Sequence, residues 1–138
     1  MKSYTYDHYG RDGSYRGYKV REGNIAKFYD EKGRYKGYRD YATGKFYGAR
    51  GEYEGHSVRS GNTTKFFDAR GSFKGWRDKT SGKIFGARGE YKGHRGMDGK
   101  FYGPRGEYLG HSVARGGGGK KSCGGVAFGF GKTMFGGL

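Results

Sequence analysis

Glycine stands at the sixth and tenth places of an eleven-residue unit that the chain writes six times: HYGRDGSYRGY (8–18), FYDEKGRYKGY (28–38), FYGARGEYEGH (46–56), FFDARGSFKGW (66–76), IFGARGEYKGH (84–94) and FYGPRGEYLGH (101–111). The second and eighth places are always Tyr or Phe, the third is Asp or Gly, and the last is Tyr, His or Trp. Successive units start 20, 18, 20, 18 and 17 residues apart, and REGNIAKFYD (21–30) returns as RSGNTTKFFD (59–68), so a longer repeat of two unequal units lies over the short one. Glycine this frequent leaves no helical face intact. Asp-x-x-Gly or Gly-x-Arg-Gly opens a type I turn and closes it at positive φ, which spells a β-hairpin with a three-residue connection.

On that reading Phe67 lies opposite Phe73, Tyr29 opposite Tyr35, Tyr102 opposite Tyr108, and Phe66 opposite Lys74. Alternation then puts Gly75 on the face of Phe73, and Phe66, Lys74 and Trp76 on the other. Cross-strand ring pairs contribute about 0.2–1 kcal/mol each. They matter here because Leu occurs only at 109 and 138, Ile at 25 and 84, and Val at 20, 58, 113 and 126, against 14 Tyr, 10 Phe and Trp76. Polar connections, RDYATG (39–44), RDKTSG (77–82) and RGMDG (95–99), join one hairpin to the next. The predicted fold class is all-β: an antiparallel meander or hairpin solenoid of six glycine/aromatic units over 1–113, followed by a flexible, glycine-rich basic tail over 114–138 that could also dock on a partner. Flat sheet, closed barrel and twisted solenoid are left open by the residues.

Low aliphatic content with a net charge of +15 is also the composition of disordered chains, but strict periodicity and many rings argue for a folded array. The charge, 28 Lys and Arg against 13 Asp and Glu, draws the chain to nucleic acid, acidic glycans, anionic surfaces or acidic proteins. Cys123 is the single cysteine, which excludes an internal disulfide and a cysteine zinc site. No signal-type or membrane-spanning apolar run is visible, so cytoplasmic residence is the default expectation, with a non-classical release left open.

GNTTKFFDARGSF (61–73) and SYTYDHYGRDGSY (3–15) resemble the YD repeats of RHS-type proteins, and the resemblance covers most of residues 3–111. GSFKGW (71–76) is similar, less closely, to the ending of choline-binding-type cell-wall repeats. Where the first family carries an apolar residue after the glycine, this chain has Tyr or Phe and then a second Gly. His56, His94 and His111 depart from the Trp ending of the second. The resemblance implies β-hairpin repeats and, in those families, extracellular binding.

Catalysis finds little support. His56, His94 and His111 share one place in the repeat, equivalent to Tyr38 and Trp76, and so read as ring-slot residues rather than converging ligands. GGGGKKS (116–122) and GGVAFGFGKT (124–133) both miss the spacing of a phosphate-binding P-loop. No metal or cofactor is expected. What remains is the interleaving of cations with rings, as in Lys65, Arg70, Lys74, Arg77, Lys79 and Lys83 among Phe66, Phe67, Phe73 and Trp76. Cations that follow a phosphate backbone beside rings that stack on bases are the chemistry of sequence-tolerant single-strand binding. Carried across the repeats, the expected binding residues are Phe66, Arg70, Lys74, Trp76, Arg77, Tyr38, Lys36, Arg88, Lys92 and Arg105. The expected function is non-enzymatic binding of a polyanion, nucleic acid or an acidic surface. The alternative is a self-assembling structural or adhesive homo-oligomer that could bind glycans.

Overall fold

The computed structural model describes residues 2–115. Cys123, the two P-loop-like stretches and the tail expected beyond residue 115 lie outside the described residues. Twelve strands run β1 (Ser3–Gly10), β2 (Tyr15–Glu22), β3 (Ile25–Asp30), β4 (Tyr35–Asp40), β5 (Lys45–Gly48), β6 (Tyr53–Ser60), β7 (Thr63–Asp68), β8 (Phe73–Asp78), β9 (Lys83–Gly86), β10 (Tyr91–Arg95), β11 (Lys100–Tyr102) and β12 (Tyr108–Ala114). Each pairs antiparallel with its sequence neighbours, and β1 pairs with β12. The all-β meander is therefore present, and the solenoid alternative is not: the array closes into a barrel. Among the described residues no helix is long and apolar enough to cross a membrane.

Closure follows from a feature that simple alternation does not anticipate. In β7–β8, Phe67 faces Phe73 as expected, but Phe66 faces Gly75 rather than Lys74. Lys74 is the extra residue of a β-bulge, which bends its strand and increases the local twist. The same register shift leaves Arg16, Lys36, Glu54, Lys92 and Leu109 as extra residues in the other five hairpins of this type. Six bulges at one end of the sheet supply the curvature that a barrel needs. The bulge also reverses the expected faces: Gly75 joins Phe66 inside, while Phe73 and Trp76 turn outward. The glycine after the bulge has no substitute. Gly37 sits at φ 130°, and a Cβ there would run into the Tyr47 carbonyl oxygen of the adjacent strand.

The tight turns are as the sequence implies. Gly71 N–H donates to the Asp68 carbonyl at 3.0 Å, Asp68 N–H to the Ser72 carbonyl at 2.9 Å, and Gly71 takes φ 85°. The Asp68 carboxylate then accepts from the Arg70 and Ser72 N–H groups, both at 2.9 Å. Where the third place is Gly48, Gly86 or Gly103, the carboxylate comes from the seventh place instead. Glu52, Glu90 and Glu107 fold back over that glycine and accept from the N–H groups of Arg50, Arg88 and Arg105 at 2.9–3.0 Å. Asp at the third place and the Gly-plus-Glu pair thus perform one task; in the first unit, with Gly10 third and Ser14 seventh, Asp12 accepts from the Ser14 N–H at 2.9 Å instead.

Outward-facing rings touch across every ladder of the barrel. Six pairs stack at 4.2–5.0 Å between centroids: Tyr18–Tyr29, Tyr38–Tyr47, His56–Phe67, Trp76–Phe85, His94–Tyr102 and His111–Tyr9. In the bulged ladders the rings meet tilted at 5.6–6.1 Å, as in Tyr9–Tyr15, Phe67–Phe73 and Tyr102–Tyr108. Pairs of this geometry contribute about 0.5–1.5 kcal/mol beyond area burial. The apolar interior is thin by comparison: Ala26, Phe28, Phe46, Phe66, Ile84 and Phe101 form its cluster.

Polar contacts lock the seam between first and last strands. Arg115 forks onto Asp7, Nη2 to Oδ1 at 2.6 Å and Nε to Oδ2 at 3.1 Å, and Tyr15 O–H donates to the same carboxylate at 3.0 Å. The Arg115 guanidinium holds the Asp7 carboxyl below the usual carboxylate range. Inside, His8 Nδ1 lies 2.6 Å from Ser112 Oγ, and both residues are buried. Burial, aided by the nearby Lys19 ammonium, pushes the His8 imidazole down to about 3.

Two outcomes follow from this packing. Gly37→Ala is expected to lower stability by about 3 kcal/mol or to prevent folding, whereas Gly33→Ala, in an open turn, costs about 1 kcal/mol; denaturant midpoints measure both, and equal costs would refute the close strand approach. His8 is neutral in the fold and titrates near its ordinary value of 6.5 when unfolded, so the unfolded state binds the extra proton as pH falls. Stability is therefore expected to drop by up to about 1.4 kcal/mol per pH unit between about 6.5 and 3, and His8→Gln should remove that component of the slope.

Candidate anion-binding chamber

The bulge decides where the cations go. With the tenth-place glycine turned inward, the next ring points out and the twelfth place points in. That place holds Lys19, Arg39, Ser57, Arg77, Arg95 and Ser112. Two residues further along, at the end of the barrel opposite the tight turns, stand Arg21, Tyr41, Arg59 and Lys79. Together they make a graded funnel. Arg39 and Arg77 are buried, Arg21 and Arg95 half-buried, and Arg59 and Lys79 exposed at the rim.

These six cations line a chamber of about 650 Å³, with Asn24, Tyr41, Thr43, Ser57 and Thr64 among the remaining walls. No Asp or Glu is among the described residues that line it. A recess of about 210 Å³ continues past Arg77, Lys79 and Arg95 between the β8–β9 and β10–β11 turns, where Thr80, Ser81 and Met97 form its sides. Apolar cluster residues stand beside the two buried cations: Arg39 pairs across the ladder with Phe46, and Arg77 with Ile84.

Rings and hydroxyls hold these guanidinium groups. Tyr41 is gripped between Arg21 at 3.9 Å and Arg39 at 4.4 Å from its centroid, and Arg39 also lies 4.9 Å from the Phe46 ring centroid. Arg39 Nη2 donates to Ser57 Oγ at 3.3 Å. Arg39 Nε and Thr64 Oγ1 are buried without a hydrogen-bond partner, although Arg39 is only 6% exposed and Thr64 2%. A buried polar atom left unsatisfied costs roughly 1–3 kcal/mol. Burial, with Arg95 and Arg39 close by, pushes the Arg77 guanidinium down to about 9. Burial likewise lowers Arg39, and Arg59 and Arg21 add to the effect.

The ten residues expected to bind do not share one surface. Phe66 is in the buried apolar cluster and Arg77 in the chamber wall. Tyr38 and Trp76 belong to the outer belt, stacked on Tyr47 and Phe85. Lys36, Lys74 and Lys92 are bulge residues on the outside, Lys74 lying 3.9 Å from Asp68 and Lys92 3.8 Å from Glu90. Arg70, Arg88 and Arg105 are exposed in the tight turns at the opposite end. Sequence reasoning passed over Arg21, Arg39, Arg59 and Arg95, which lie beyond the eleven-residue unit; the signal for Arg39 and Arg95 was Gly-ring-cation, a cation two places after an inward glycine, and Arg21 and Arg59 stand two places further on. His56, His94 and His111 fill ring slots of the belt, each with a Tyr hydroxyl 2.6–3.1 Å from Nδ1.

Because the chamber crowds like charges away from water, Arg77→Met is expected to stabilise the ligand-free barrel by about 1–4 kcal/mol in low-salt chloride buffer. A lower thermal midpoint for that variant would overturn this view of the chamber. No family model, no curated protein and no solved structure matches the chain.

Proposed function

We propose that this chain is a non-enzymatic binding protein for a polyanion or acidic surface, and that the loop-end chamber is its receptor. The observation that carries the reading is the placement of six cations around one concave space with no carboxylate among its described lining residues. Cations in a low-dielectric concavity focus the field and raise both local anion concentration and association rate. The outer Lys and Arg residues add a long-range attraction that salt screens. The outer rings supply little to a stacking platform, because each is already engaged with a neighbouring ring. Strand-edge self-assembly lacks its template too, since each of the twelve strands is paired on both sides.

The test is binding of a labelled single-stranded oligonucleotide, a duplex, a sulfated glycan and a neutral glycan to the full chain, between about 50 and 200 mM salt. The single strand and the sulfated glycan are expected to bind with a steep loss of affinity as salt rises, the duplex, too wide for the chamber, more weakly, and the neutral glycan not to bind. The double variant Arg59→Ser, Lys79→Ser should flatten the single-strand salt slope by about 0.7 per lost phosphate contact, while Trp76→Ala leaves affinity unchanged. Absence of binding to every polyanion at low salt refutes the proposal. A loss on Trp76→Ala equal to that of the rim variant would move the site to the outer belt.

A further inference from the structure

The chamber says more about its ligand than its sign of charge. The geometry points to a compact ligand carrying about three clustered phosphoryl groups, either an inorganic oligophosphate or a phosphorylated polyol, held inside the barrel by Arg39, Arg77, Arg95 and Thr64. This rests on the reading of the chamber as the anion receptor.

Four observations converge on that chemistry. The first is charge: six cations line the space, and three phosphoryl groups at about −1.5 to −2 each bring about −4.5 to −6. The second is donor type. Five of the six are Arg, whose planar fork matches two phosphate oxygens at once, whereas Lys acts as a point charge. The third is the pair of buried polar atoms at Arg39 Nε and Thr64 Oγ1, on side chains that line the chamber. A small shift of these two side chains turns both atoms toward a phosphoryl oxygen seated between them. The fourth is size: about 650 Å³ lies in the range of roughly 300–1,000 Å³ typical of small-ligand sites, and a nucleic-acid duplex does not enter it.

The same walls discriminate against nucleotides. Tyr41 is the one aromatic residue among those lining the chamber, and the Arg21 and Arg39 guanidinium groups cover its ring. A base therefore finds no open ring to stack on, and the recess beside Thr80 and Ser81 offers hydroxyls instead. Segment 116–138 contains no Asp or Glu, so its side chains bring no competing negative charge. Burial first, and the Arg95 and Arg39 charges second, hold the Arg77 guanidinium down, and a bound oligophosphate would offset the second of these.

Calorimetric titration of the full chain at about 0.15 M salt tests this, with tripolyphosphate, an inositol trisphosphate, orthophosphate and a single-stranded oligonucleotide as separate probes. Tripolyphosphate, the inositol trisphosphate or both are expected to bind at least about 100-fold more tightly than orthophosphate, and which of them binds identifies a linear or a polyol ligand. Arg39→Gln should weaken that binding by about 10- to 100-fold. Arg59→Ser at the exposed rim, which leaves the interior intact, should weaken it several-fold, and Lys74→Ala on the outer face not at all. Thermal midpoints with and without the probe give a second readout should Arg39→Gln be poorly folded. Oligophosphates that bind no better than orthophosphate, or a wild-type affinity in both Arg39→Gln and Arg59→Ser, overturn the inference. If the oligonucleotide alone binds and weakens on Arg59→Ser, the chamber remains an anion receptor and only its ligand class is wrong. If no probe binds at low or moderate salt, both readings fall.

Discussion

Everything else in this barrel depends on one extra residue per hairpin. The bulge at Lys74 and its five counterparts lets Phe67 and Phe73 clasp on the outside while Phe66 and Gly75 meet on the inside. Without it, alternation would carry Trp76 into the interior and Arg77 out to solvent. Curvature, closure, the direction of the rings and the cationic lining all follow from that shift in register. The positive φ of the following glycine and the carbonyl packed against it show why no side chain can replace it there.

The energetic arrangement is correspondingly unusual. Most β-barrels hold their largest apolar side chains inside and alternate with polar residues outside. Here the large rings form a girdle on the exterior, where they shield one another in stacks and tilted contacts, and the interior keeps only a single apolar tier. That division frees the rest of the lumen for charge. Like charges crowded away from water weaken the empty protein, and a girdle touching on every ladder offsets part of that cost. The seam, with Arg115 clamped on Asp7 and His8 against Ser112, closes the last gap with polar contacts as well as a ring stack.

The hairpins and their ring pairs were legible because turn chemistry is local: Asp68 and Gly71 specify their connection within four residues. The bulge was not, because its place in the repeat is filled by Arg16, Lys36, Glu54, Lys74, Lys92 and Leu109, which share neither size nor charge. Once that residue is missed, each one after it is assigned to the wrong face, so that Trp76 is grouped with Phe66 and Gly75 with Phe73. Closure was illegible for a different reason. A hairpin ladder looks the same in a solenoid and a barrel until the pairing of Tyr9 with His111 brings the ends together. The remaining chamber cations went unread because they belong to the connections, which vary, rather than to the units, which repeat.

Stacked and tilted ring contacts alternate around the girdle because bulged and unbulged ladders alternate. The circumference therefore comes in steps of one whole hairpin, and an odd strand would leave two like ladders side by side. Gain or loss of a single unit by duplication or deletion would reset the bore and the number of inward cations together. Capacity and charge of the lumen are thus tied to the same integer, and a lineage of such chains could change the size of its ligand only in jumps.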